Sequence, residues 1–489
     1  MNKRTFFILA LVVALALPTM AMAAAEFSMG GFIKLDAFWD STQEGKNMNA
    51  AIVRNNNITP GATAATLGAR SEFHHGRLRF TSQGSRFNLT IKGPKLWGAT
   101  TTGFIEMDFD AAEEGAVGSF TAPAAGTAVR GGGTTTSNSY QPRLRHAFFR
   151  LNWPETELLF GQYWPLLAQW YPEVGQDGPF QMTGTPTARI PQIRLSQSFL
   201  GAWKVSGLVG SANSITGSRT YSLVDRSGGD STEAPQVQVG VEFAKDLYGK
   251  AAWYGKPTPF TAQVNFGWQR AITQGDRVDR TFMQTSQTNY TLDTNARTVQ
   301  QYHDPWMFQG NLFIPVIPTT SANLAGTASL QTTWWIGQGV EAFGMTTFGS
   351  QVYRFQGQDF GGNNIYRADL LNRWGGQVQA QYYFTNEWFL TGAFGFSRAF
   401  GVGAFQTDAN QVNNRKVGFT ADTVDYHQEY NLCLWYRPIQ AFKFGLQYAY
   451  NQTTWLQKVG ADPPATTQQA NMTKVGEAHN VRFVGLFFF

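Results

Sequence analysis

Five cations stand on strand-like segments whose neighbouring positions are apolar: Lys34 in GFIKLDAFWD, Arg86 in RFNLTIK, Arg150 in HAFFRLNW, Arg194 in PQIRLSQS and Arg482 in HNVRFVGLFFF. Acids share the polar parity: Asp36, Glu106, Asp108 and Glu242. Guanidinium groups held in a row attract carboxylates and phosphates through charge-assisted, often bidentate hydrogen bonds. Acids on the same face pair with some of them and set a transverse field. This is recognition chemistry, with no bond broken. His74 and His75 are adjacent, so on a strand they point to opposite faces and cannot share a metal. His146, His303, His427 and His479 are scattered, with no HExxH-like spacing. No catalytic residue, metal site or cofactor is expected, and an enzymatic barrel would need a base–nucleophile constellation that the sequence lacks.

The elements that carry these charges alternate with period two. In GFIKLDAFWD, Ile33, Leu35, Ala37 and Trp39 share one face, against Lys34, Asp36 and Asp40. GFIEMDFD, QVQVGVEF, GQVQAQYYF and KFGLQYAY repeat the pattern. A soluble sandwich also alternates. Two features favour a lipid-facing sheet instead: Trp39, Tyr382 and Tyr450 stand at segment ends, as an interfacial girdle would, and the segments run about 9–14 residues, the length of a tilted bilayer crossing. Charged residues are 15% of the chain, against roughly 25% in ordinary globular proteins. No apolar run of about 18 residues follows the first segment, so a spanning helix is not expected. A closed β-barrel is the other way to satisfy every backbone group in lipid.

The first residues read as a secretory signal. Lys3 and Arg4 precede the apolar run Phe6 to Leu17, Pro18 ends it, and A-x-A sites allow cleavage after Ala23 or Ala25. A signal peptide over 1–25 and a single barrel domain over 26–489 are expected. Cys433 is the one cysteine, so no intrachain disulfide forms. Removing Lys3 and Arg4 lowers Lys+Arg from 38 to 36 against Asp+Glu 33, a net charge near +3. That mild charge, with no basic run, does not point to nucleic acid.

Connections alternate in length. Short links are expected at Gly93–Leu96, Pro154–Thr156, Leu200–Ala202, Thr385–Asn386 and Arg437–Ile439. Long polar stretches fall at 41–70, 111–140, 164–188, 211–234, 271–303, 351–370, 401–425 and 451–476. Eight long loops predict an all-β, transmembrane antiparallel barrel of sixteen strands, with short periplasmic turns and long extracellular loops. The stretch Asn311–Ser350 could hold two more strands, giving eighteen. A phase change between Phe80 and Phe87 predicts a bulge near Gly84.

Sixteen strands enclose an aqueous channel rather than a packed core. The sequence therefore points to passive diffusion of small hydrophilic solutes across a Gram-negative outer membrane, with a mild anion preference. The third loop, Tyr163–Ala188, is unusually apolar. PLLAQWY predicts a helical turn from Pro165, with Leu166, Leu167 and Trp170 packed on the inner wall of the barrel. Glu173 and Asp177 would then face basic residues across the constriction. Arg143 and Arg145 fall on the lipid-side parity: either they sit at the rim and pair with lipopolysaccharide phosphates, or the phase slips there. The alternative reading is a barrel that sheathes a periplasmic partner, for example a cytochrome in an electron conduit.

GFIKLDAFWD, GSRFNLTIKGPKLWGATTTGFIEMDFD, QPRLRHAFFRLNWPETELLFGQYW, RIPQIRLS and the closing HNVRFVGLFFF together resemble the DcaP-like porin family of Gram-negative outer membranes. The resemblance implies a sixteen-stranded homotrimer with an inward third loop and a preference for anionic solutes such as dicarboxylates. It carries over to Arg86, Arg145, His146, Gln162 and Arg194. Phe489 matches the terminal aromatic residue of such barrels. The coiled-coil segment that some members carry ahead of the barrel is not expected here.

Overall fold

The computed structural model describes residues 25–41, 76–109, 141–175, 182–213, 234–273, 283–284, 290–291, 301–345, 351–358, 364–401, 424–455 and 475–489. The expected signal peptide up to residue 24, Asp177 and most of the long stretches other than 164–188 and 351–370 lie outside these residues.

Seventeen strand segments join in one sheet. Two of them, Arg77–Thr81 and Arg86–Leu96, run along the same neighbour and form one interrupted stave, so the barrel has sixteen. In chain order the staves are β1 (Glu26–Asp40), β2 (the two segments just named), β3 (Ala99–Asp108), β4 (Arg143–Asn152), β5 (Thr156–Tyr163), β6 (Ile190–Phe199), β7 (Trp203–Gly210) and β8 (Gln236–Lys245). There follow β9 (Phe260–Trp268), β10 (Trp306–Ile317), β11 (Ala328–Gln338), β12 (Asn372–Tyr383), β13 (Trp388–Phe400), β14 (Val424–Ile439), β15 (Phe442–Trp455) and β16 (Val475–Phe488). Each pairs antiparallel with the next. The sheet closes where β16 meets β1, from Phe32 opposite Phe488 to Asp40 opposite Asn480. The strand order is that of an up-and-down barrel, with the start of β1 and the end of β16 at one rim. Asn311–Ser350 contains one full strand, β11, and the end of β10, which excludes eighteen.

The closing phenylalanines face outward. Val481, Phe483, Phe487 and Phe489 are exposed together with Ile33, Leu35 and Trp39 of β1. Outward rings cluster at the rim carrying the chain ends: Trp388 on Tyr436 at 4.4 Å, and Trp203 on Phe243 at 4.9 Å. Side chains of the other parity are buried inside, most of them polar, with apolar ones such as Phe38, Phe313, Trp335 and Trp435 among them.

Three local expectations are corrected. The phase change near Gly84 is a four-residue turn, closed by Ser85 N–H on Ser82 O at 2.9 Å, and Ser85 Oγ accepts the Lys34 N–H at 3.0 Å. The link placed at Gly93–Leu96 lies one turn later, at Trp97–Gly98, and that placed at Arg437–Ile439 falls at 440–441. Both Trp97 and Gly98 have positive φ, the geometry a two-residue hairpin turn needs. Two links at the terminal rim, 246–259 and 318–327, are long rather than short.

Candidate functional site

The third loop leaves β5 after Tyr163 and returns to β6 at Ile190. Pro165 opens a 3-10 turn over Leu166–Ala168. Leu166 packs on Ile190 and Leu208, Leu167 on Met307, Trp335 and Phe343, and Trp170 on Phe313. The loop folds inward as expected, and its apolar side chains account for that.

Its backbone must still find partners, since buried amides cannot be left unpaired. Neutral amide side chains on the inner wall supply them. Leu167 N–H donates to Gln238 Oε1 at 3.1 Å, Gln309 Nε2 donates to Leu167 O at 2.8 Å, and Asn265 Nδ2 to Leu166 O at 3.1 Å. Further along, Glu173 N–H donates to Gln379 and Gly175 N–H to Gln447. On the return arm Thr183 N–H donates to Glu429 Oε2 at 2.8 Å, and Trp335 Nε1 to Gly184 O at 2.7 Å. The loop therefore lies along the inside of β8–β16. An amide carries both donors and an acceptor, so a Gln/Asn wall suits either sense of backbone group.

Two glycines permit this approach. A Cβ on Gly395 of β13 would stand 1.9 Å from Thr183 O, and one on Gly184, where φ is +84°, 2.0 Å from Gly376 O.

Glu173 is the loop's charged anchor. Its carboxylate pairs with Lys443 of β15 and accepts from Gln381 Nε2 at 2.9 Å, while Trp435 Nε1 donates to Glu173 O at 3.3 Å. Lys34, Asp36 and Arg482 lie under the same loop. Asp36 binds Lys34 Nζ and Arg482 Nη1, both at 3.2 Å, and Lys34 Nζ donates to Gly175 O at 3.3 Å. These four residues are buried and form the loop's seat.

The wall beside the two ends of the third loop, β2–β6, carries the arginines, and Arg194 Nη1 donates to Trp164 O of the loop at 3.4 Å. Arg145 is 1% exposed, with Nε on Glu106 and Nη1 on Asp108, each at 2.7 Å. Arg143 holds Asp108 in a fork at 3.0 and 2.7 Å. Arg194 and Arg150 share Glu157, at 3.1 and 3.5 Å. Arg189, at the end of the third loop, lies 4.8 Å from the Trp164 ring, and Arg194 5.0 Å from the Tyr163 ring. The Arg86 guanidinium stands 5.1 Å from the Phe32 ring. Among the described residues, these six arginines stand with three carboxylates. Burial first, and then the neighbouring Arg145 and Arg143, lower the Arg189 pKa to about 9.

Arg145 reaches the inside through a register slip. Glu106 pairs with His146 and Met107 with Leu144, so Arg145 is the extra residue of a β-bulge. Leu144 turns outward, 47% exposed. Gln162 Nε2 donates to Arg145 O at 3.0 Å and Leu144 O at 3.2 Å, capping the bulge. Of the two alternatives for Arg143 and Arg145, a lipid-side rim position or a phase slip, the slip is the one observed. Arg189 was not singled out, because it precedes the strand and no periodicity marks it.

No protein-family model matches the sequence, and no curated protein does. Solved structures do. The outer membrane channel DcaP of Acinetobacter baumannii superposes with a TM-score of 0.57 at 14% identity, covering 96% of this chain and 98% of that one. OmpT of Vibrio cholerae gives 0.47 at 10% identity, over 96% and 99% of the two chains. An anion-selective porin from Comamonas acidovorans gives 0.45 at 8%, over 95% and 100%. The likeness to DcaP extends over nearly the whole of both chains and is one of fold: this chain is built as a sixteen-stranded porin barrel.

Proposed function

We propose that the protein is a general outer-membrane porin: a water-filled channel for passive diffusion of small hydrophilic solutes, with a mild preference for anions such as dicarboxylates. The observation that carries this reading is the division of the lumen wall. One side, β8–β16, lined largely by amides, seats the third loop, and the other, β2–β6, presents more arginine than carboxylate among the described residues. Charge at the narrowest part of a pore selects ions. A passing carboxylate would exchange water for guanidinium forks already held in place by Glu106, Asp108 and Glu157, so little ordering remains to be done on binding.

The residues assigned to the constriction are Arg86, Arg143, Arg145, Arg150, Arg189 and Arg194 with their acids. Lys34, Asp36, Glu173 and Arg482 act one step back, by holding the loop. The chain is read as exported by a signal peptide over 1–25 and as working in the outer membrane as a homotrimer, in contact with lipid and lipopolysaccharide, without catalysis or a cofactor. The sheathing alternative gains no support, since the third loop already occupies the lumen a partner would need. Reversal potential under a salt gradient tests the reading.

A further inference from the structure

The link from β8 to β9 is more than a turn. After Lys245 the chain leaves the wall, and Ala251–Trp253 pair with Lys256–Thr258 as a hairpin before β9 begins. Its tip is Tyr254–Gly255, with φ of 50° and 71°. Its base is tied to the neighbouring link, where Lys250 and Thr319 exchange backbone hydrogen bonds of 2.8 and 2.7 Å.

The hairpin points into the lumen. Ala252 is buried with Tyr383, Phe389 and Trp435, all on the inward parity of β12–β14. Ser329 Oγ donates to Ala252 O at 2.9 Å. The tip reaches β14, because a Cβ on Gly255 would stand 2.8 Å from Arg437 Nη1 and 3.9 Å from the Tyr383 hydroxyl. The hairpin starts between β8 and β9, so it spans the inner face of β10–β13. It also meets the third loop. Trp253 stacks on Phe313 at 5.5 Å and meets the Trp170 ring at a tilt, centroids 4.6 Å apart, and the Tyr254 hydroxyl donates to Pro172 O at 3.1 Å.

We propose that this hairpin is a second constriction of the channel, entering from the rim that carries the chain ends and braced against the third loop through Trp253 and Tyr254. The proposal rests on the channel reading. Two inward segments from opposite rims meet on one pair of indole rings, so the opening is set jointly. The third loop and its arginine wall fix which charge passes. The hairpin sets the size limit below them.

The test compares wild type with two variants in planar bilayers and in liposome swelling with neutral sugars of graded size. One variant replaces Ala251–Thr258 by Asn-Gly; the other is Trp253→Ala, which keeps the backbone and removes the brace. Folding is checked by the shift in gel migration on heating. The shortened variant should conduct about twofold more or better and admit larger sugars, since cross-section sets both. Trp253→Ala should show a smaller gain and a noisier current. Should the shortened variant fail to insert, Trp253→Ala decides alone. Wild-type conductance and size limit in every folded variant overturn the proposal while leaving the channel reading intact. Silence from wild type and variants alike overturns both. A silent wild type beside a conducting shortened variant supports the hairpin as an obstruction and overturns the open-channel reading.

Discussion

Glu173, on the third loop, is ion-paired to Lys443 on β15, and the Lys443 ammonium stands 3.7 Å from the centre of the Trp435 ring. Both charges are nearly fully buried. Removing one partner strands the other away from water, at a cost of roughly 3–5 kcal/mol. Lys443→Ala should lower the unfolding temperature and release the loop, raising current noise. Glu173→Gln combined with Lys443→Met should restore most of the stability, because no unpaired charge remains. Thermal band-shift and single-channel recordings check both.

Gly395→Ala places a methyl where Thr183 O now lies. The loop's return arm must move off β13, at a cost of about 1–3 kcal/mol as for other overpacked sites. Conductance should change with the barrel still folded. A variant with wild-type current and stability would show that the arm does not rest there.

Glu341 lies in the turn after β11, fully buried, and burial lifts its carboxyl from 4.5 to about 8 against the pull of Arg373. The folded protein keeps this proton over a range in which the unfolded chain has released it. Stability should therefore fall as pH rises from about 4.5 to about 8. Glu341→Gln should flatten that slope, as read from the band-shift temperature across this window. An unchanged slope would place the titration elsewhere.

Arg194 and Arg189 should differ in their effect on selectivity. Arg194→Ala removes a cation and also frees Glu157, which would keep only Arg150 at 3.5 Å. Arg189 forms no ion pair among the described residues, and its loss frees no acid. Both substitutions should weaken anion preference, Arg194→Ala more strongly. Arg194→Lys should preserve the sign, because charge at the position is kept while the fork is lost.

The barrel was legible in the sequence because lipid enforces strict alternation on one face, and β1, β3, β8, β12 and β15 obey it without interruption. The third loop was legible because Leu166, Leu167 and Trp170 make a poor water-exposed loop. Arg145 was legible only as one of two alternatives, since one inserted residue inverts the parity of everything before it, and only the pairing of Glu106 with His146 locates the insertion. The turns at Trp97–Gly98 and Tyr254–Gly255 were hidden for another reason. Their first residue is a large aromatic where Asn or Asp is the usual signal. Lys34, Asp36 and Arg482 were placed on the correct face, yet parity alone cannot say whether that face meets water or a loop.

The sign of the reversal potential in a planar bilayer under a salt gradient tests the account most directly. An arginine-rich wall beside the third loop predicts an open channel whose current at zero voltage is carried mainly by the anion. Equal or greater cation permeability would contradict the role assigned to Arg145, Arg189 and Arg194, and a protein that inserts but passes no ions would contradict the channel itself.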